Sequence, residues 1–143
     1  MAKRTKTISL FEGYFLPQIT FTGKVFSGKG EGKKFIALPW VNRQIEQKLG
    51  YAPYAGTLNI RLTKESMRQK KLLGKAQRLQ IIPEKGYCNG VLIKASVGVL
   101  KCAIILPEVP SYPEDILEVI APLNLRERLK LADGNQVAVT VDV

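Results

Sequence analysis

Short β-forming runs separated by glycine and proline are what most restrict the folds open to this chain. Ile19 to Phe26 alternates, Ile19 and Phe21 against Thr20 and Thr22, which is the pattern of a half-buried strand. Leu79 to Ile82, Val91 to Ser96 and Val99 to Leu106 are further β-rich runs, and Gly98 marks a tight connection between the last two. After the Asp133-Gly134 turn, Val137, Val139 and Val141 alternate in a closing strand. A mainly β chain follows, with few and short helices. Phe35 to Leu38 reads as a strand stopped by Pro39, and Asn42 as the N-cap of a helix through Leu49 that Gly50 ends. Pro122 suits the first position of a helix running through Leu131. Thr63 to Arg78 is basic with little apolar periodicity, a loop or ragged helix whose charges read as a solvated face before they read as a nucleic-acid patch. Met1 to Lys6 reads as a mobile terminus, within an N-terminal extension of residues 1–15.

Composition removes several classes of function. A chain of 143 residues with a 45% apolar share is predicted to be one domain with a real core. The apolar run Ile8-Ser9-Leu10-Phe11 is too short for a signal-peptide core and no later run approaches a membrane span, so a soluble, cytoplasmic protein is expected. Histidine is absent and Cys88 and Cys102 form no C-x-x-C, which excludes zinc sites and His-based acid/base chemistry. The cysteines read as thiols on neighbouring strands. A net charge of +10 implies attraction to nucleic acid, a membrane surface or a nucleotide without choosing among them.

Chemistry concentrates in two places. In Tyr54-Ala55-Gly56-Thr57-Leu58-Asn59, a strand opening at Thr57 puts Thr57 and Asn59 on one face and Leu58 on the other. Hydroxyl and amide oxygens are hard ligands, suited to a cation such as Mg²⁺ that arrives with phosphates. Gly56 leaves the backbone open to close approach. The same pair also fits an ordinary solvated face or turn closure. In Ser27-Gly28-Lys29-Gly30-Glu31-Gly32-Lys33-Lys34, glycines at alternate positions let N–H groups converge on an anion while lysines add charge. That describes a phosphate cradle, although neither the P-loop nor the dinucleotide spacing is present, and a flexible hairpin turn is the alternative. Pro110-Ser111-Tyr112-Pro113 is a rigid turn before Asp115 to Ile120. Read as a strand, this run puts Glu118 on the face of Ile116 and Ile120, where a carboxylate needs a partner; read as a short helix, it leaves Glu118 exposed.

Taken together, these segments resemble the archaeal CTP-dependent riboflavin kinases from about Gly23 to Val141. The resemblance is carried by Gly23-x-Val25-x-Ser27-Gly28-x-Gly30-Glu31-Gly32 with Phe35, by Pro53-Tyr54-x-Gly56-Thr57-Leu58-Asn59, and by Ile120-Ala121-Pro122 with Leu125-Arg126. It implies a small closed β-barrel of the cradle-loop type that moves the γ-phosphate of CTP onto the 5′-hydroxyl of riboflavin, giving FMN and CDP. It further implies that Lys29, Gly30, Glu31, Gly32, Lys33 and Lys34 wrap the nucleotide, completed by Leu123, Asn124, Leu125 and Arg126. Thr57 and Asn59 match the Mg²⁺ ligands, and Ser111 and Glu118 match positions that contact riboflavin or FMN. The turn carrying Ser111 is one residue shorter than the family pattern. With no histidine present, Glu118 is the candidate to orient or deprotonate the ribityl hydroxyl. The implied protein works as a monomer, without membrane or nucleic acid as partners.

Two other readings remain. Leu125-Arg126-x-x-Leu129-x-Leu131 before Asp133-Gly134 also resembles basic swapped-hairpin-like barrels that act as DNA-binding regulators. Architecture alone does not assign function, and a DNA-binding barrel has no use for the Thr57/Asn59 pair. A structural or ribosome-associated basic protein is the second alternative.

Overall fold

A computed structural model describes the backbone of residues 6–11 and 14–143, and the side chains from residue 17 onward apart from Glu31. The predicted mobile terminus lies, Lys6 aside, outside the described residues. The strands are β1 (Lys6–Phe11), β2 (Tyr14–Phe26), β3 (Leu58–Leu62), β4 (Leu79–Ile81), β5 (Gly90–Val97), β6 (Leu100–Pro107), β7 (Ile116–Ile120) and β8 (Gln136–Asp142). The helices are α1 (Glu31–Ala37), α2 (Pro39–Leu49), α3 (Lys64–Gln69) and α4 (Leu125–Arg128), and a 3-10 turn spans Lys70–Lys75.

All strand pairs are antiparallel. The order β2-β3-β7-β6-β5 is closed by β8, which pairs with β2 along Gln18 to Lys24 and with β5 at Ser96, giving a ring of six strands. β1 adds to β2 and β4 to β5 outside that ring. The expectation of a mainly β, closed barrel therefore holds.

Side-chain alternation divides the apolar residues into two cores. Every ring strand sends residues inward: Phe21 and Val25, Ile60, Leu117 and Val119, Ile104, Ile93, and Val139 belong to one buried cluster. The intervening Ile81, Leu92, Ala103, Ile105 and Ile120 face outward and meet Ile36, Trp40, Val41 and Ile45 of α1 and α2 in a second cluster. This double burial makes β5 and β6 near-continuous apolar runs where half-buried strands alternate. Among the described residues, no helix is long and apolar enough to cross a membrane.

Several local expectations are corrected. Phe35 to Leu38 is not a strand but lies on α1 and its end, because its apolar side chains are taken up by the outer core. Short apolar runs do not distinguish the two states. Pro39 fixes Leu38 in an extended conformation, ending α1, and itself opens α2. The N-cap of α2 is accordingly Leu38 rather than Asn42, whose N–H already bonds to the Leu38 carbonyl. Gly50 closes the helix at φ 80, as expected.

The helix expected from Pro122 to Leu131 is the single turn of α4. Asn124 Oδ1 accepts from the Glu127 N–H at 3.2 Å, so capping starts the helix at Leu125 rather than Pro122. Lys130 at φ 54 and the Leu131 N–H bonded to the Arg126 carbonyl end it in a Schellman closure. The cysteines are not both on strands: Cys102 is buried on β6, and Cys88 is exposed in the connection before β5.

Candidate active site

Leu58 and Ile60 point into the barrel, so Thr57 and Asn59 point out of it. Asn59 lies opposite Glu118 in the β3–β7 ladder, which brings the amide and the carboxylate to the same outer face. Thr57 Oγ1 donates to Asn59 Oδ1 at 3.0 Å and stands 3.2 Å from Glu118 Oε1, so one hydroxyl proton serves two acceptors. Glu118 is on a strand, as the first of the two readings required. Its partners are Thr57 and Tyr112, whose hydroxyl donates to Glu118 Oε2 at 2.7 Å. Burial, and then the bond to Glu118, push the Tyr112 phenol well above its ordinary range, which keeps it the donor.

The glycine loop lies over this oxygen cluster, and its glycines are needed for different reasons. A Cβ on Gly28 would collide with the Asn59 amide. A Cβ on Gly32 would come within 2.7 Å of Thr57 Oγ1 and 2.8 Å of Glu118 Oε1. Gly30 has open space but sits at φ +81, where it begins α1. The far end of the loop is held from the C-terminal side. Ser27 donates to both Asp133 oxygens at 2.9 and 3.0 Å, Arg126 pairs with Asp133 at 2.9 Å, and Arg126 also reaches Ser27 Oγ at 3.2 Å.

Two hollows meet here. A cleft of about 820 Å³ is lined on one side by Lys29, Gly30, Gly32 and Lys33 and on the other by Ser111, Tyr112 and Glu118. A smaller hollow of about 230 Å³ is lined by Tyr54, Leu123, Asn124 and Leu125. Lys33, Gly56, Thr57 and Arg126 line both. Tyr54 is held at the rim by its hydroxyl, which accepts from Asn124 Nδ2 at 3.2 Å.

Most of the residues singled out in the sequence thus converge. Thr57, Asn59, Glu118 and Gly32 meet at one point, Lys33 lines both hollows beside it, Ser111 is exposed on the cleft wall, and Leu123 to Arg126 flank the smaller hollow. Lys34 is exposed and lines neither hollow, and the side chain of Glu31 lies outside the described residues. Sequence reading missed Tyr112, Arg61 and Asp133. Arg61 stands 4.6 Å over the Phe26 ring, bonded to Asp115 at 3.0 Å, on the cleft wall. Only its outward position on the strand, opposite Ile60, signalled it.

Comparison with known proteins identifies the family of the chain. Residues 25–141 match the family model CTP-dep_RFKase, a domain of unknown function (DUF120). A riboflavin kinase of Methanosarcina barkeri is 36% identical over 82% of this chain and 54% of its own length. One from Pyrobaculum islandicum is 40% identical over 86% and 60%, and one from Ignicoccus hospitalis 35% identical over 95% and 78%. The chain spans little more than half the length of the Methanosarcina relative. With the match reaching from the end of β2 to the close of β8, the chain belongs to the CTP-dependent riboflavin kinase family.

Proposed function

We propose that this protein phosphorylates the 5′-hydroxyl of riboflavin with the γ-phosphate of CTP, in the presence of Mg²⁺, giving FMN and CDP. The single observation that carries the reading is the shared wall of the two hollows. A nucleotide seated beside Tyr54 and Leu123 to Arg126 directs its phosphates past Lys33 and Thr57, toward an acceptor lying against Ser111, Tyr112 and Glu118. Membership of a family whose relatives carry the name riboflavin kinase supports the substrate.

The side chains fit a hard cation. Thr57 Oγ1 and Asn59 Oδ1 are neutral oxygens 3.0 Å apart, backed by Glu118, and Gly28 and Gly32 let the loop backbone pack directly over them. Bound there with the phosphates, Mg²⁺ would neutralise charge that grows on the transferring group. The chain's own residues do the rest. Lys33 adds positive charge where the hollows meet, beside Arg126 in its pair with Asp133, and the first turn of α1 offers N–H groups without intrahelical partners. Tyr112 and Thr57 hold the Glu118 carboxylate from both oxygens, fixing it to accept the proton of the ribityl hydroxyl. Base discrimination falls to the Tyr54–Asn124 side, where a mismatched edge leaves polar groups unpaired.

The test is FMN formation from riboflavin and Mg²⁺ with each of the four nucleoside triphosphates. CTP is expected to exceed the others by orders of magnitude. Faster turnover with ATP would break the donor assignment. No FMN from any donor, with a DNA fragment bound at physiological salt, would favour the DNA-binding alternative.

A further inference from the structure

The wall of the large cleft formed by the β6–β7 connection is held from outside by a residue that does not line it. Lys70, in the 3-10 turn after α3, sends its ammonium under that connection and donates to the carbonyls of Ile116 at 2.8 Å, Glu114 at 3.3 Å and Pro113 at 3.5 Å. The same nitrogen stands 5.3 Å from the centroid of the Tyr112 ring, on whose face a cation is attracted. Tyr112 in turn supplies the short bond to Glu118. The clamped segment carries Ser111, Tyr112, Pro113 and Ile116 of the cleft lining, while Lys70 itself lines neither hollow. Burial draws the Lys70 ammonium below the ordinary lysine range, and Asp115, Glu114 and Glu118 push it back up. A cation so placed sacrifices hydration for these carbonyls, which marks the contact as a built one rather than a stray surface lysine.

We infer that Lys70 is a positioning residue for the acceptor: it fixes the 113–116 backbone and the Tyr112 ring, and through them the riboflavin side of the site, leaving the nucleotide side untouched. This rests on the proposed function above. Tyr112 reaches Glu118 only if the turn that carries it is held, and hydrogen bonds between the turn's own residues are few: Tyr112 N–H to the Val109 carbonyl at 3.1 Å and Ile116 N–H to the Pro113 carbonyl at 3.4 Å. β3 holds Asp115, whose carbonyl accepts from Leu62 N–H at 2.7 Å and whose carboxylate pairs with Arg61 at 3.0 Å, and Lys70 holds the Pro113, Glu114 and Ile116 carbonyls on either side.

The experiment compares wild type, Lys70→Met and Lys70→Arg by steady-state kinetics with each substrate varied and by amide hydrogen exchange. Lys70→Met is expected to raise KM for riboflavin about tenfold, the size of one charge-assisted hydrogen bond, with KM for CTP unchanged. Exchange should quicken at Tyr112 and Ile116 and not in the barrel strands. Lys70→Arg keeps the charge and the donors and should recover most of the riboflavin affinity. If KM for both substrates rises together and exchange quickens throughout, Lys70 is merely structural and the inference falls. It falls equally if wild type makes FMN and Lys70→Met matches it in every measurement. Should wild type make no FMN and bind no riboflavin, the proposed function itself is lost, whatever Lys70→Met does to exchange.

Discussion

Gly32 has no space for a methyl group, because Thr57 and Glu118 already occupy it. Gly32→Ala is therefore expected to force the helix start away from the oxygen cluster. Turnover should drop about a hundredfold, the cost of one lost transition-state contact, while the circular dichroism spectrum stays that of the wild type. Thr57→Ala and Asn59→Ala each remove an oxygen proposed to hold the cation and nothing from the core. A similar loss is expected in each, together with a raised Mg²⁺ requirement in titrations of CTP turnover, and near-normal kinetics in either would remove the cation site. These positions were legible in the sequence because strand alternation is a local rule: once Leu58 is inside, its neighbours are outside. Tyr112 was not legible, since its partner is decided by how an irregular turn folds back on its own strand. Arg61 and Asp133 escaped for a different reason, their contacts lying far along the chain.

Among the elements, α1 shows what sequence pattern leaves undecided. Phe35, Ile36 and Leu38 are apolar enough for either state, and the choice is made by an outer surface on β5, β6 and β7 that only the assembled sheet presents. Gly30 sets the entry of that helix through its left-handed backbone. A Cβ there meets no neighbour, but valine at this φ is strained by about 1–2 kcal/mol, a cost the loop can relieve only by moving. Gly30→Val should weaken CDP binding at least tenfold in calorimetry and leave FMN binding within a few-fold of wild type, because the wall proposed to hold the flavin belongs to another element; equal loss of both would mean a general collapse. The shortened α4 was missed because Pro122 and Asn124 are both credible starts. The side-chain cap decided between them.

Across the whole molecule, the two cysteines report on the solidity of the barrel. Cys88 is exposed, whereas burial pushes the Cys102 thiol up to about 12 from an ordinary 9.0. A thiol reagent at pH 8 should modify only Cys88 in the folded protein and both residues after unfolding. Because the folded value is the raised one, the protonated thiol contributes stability in full below pH 9.0, and that contribution is lost as pH climbs toward about 12. Tyr51, also pushed up to about 12 by burial, acts in the same direction. Denaturant midpoints should accordingly fall between pH 8 and pH 11, and a flat profile would mean that these groups are solvated. Most of the ring strands could be read from the sequence, although β1 could not and Phe35 to Leu38 reads as a strand without being one, but no local pattern says that β8 returns to β2. That return carries a cost in time. The β2–β8 ladder joins Gln18 to Asp142 and Ile19 to Val141, so its pairings span nearly the entire chain, and closing so long a loop is entropically slow. During synthesis the ring cannot close before β8 has left the ribosome, and until then β2 and β5 present open edges to any other strand nearby. A nascent chain stalled before Gln136 should be protease-sensitive and chaperone-bound, and one released past Asp142 resistant; early resistance would show that the arc from β2 to β5 stands without its closing strand.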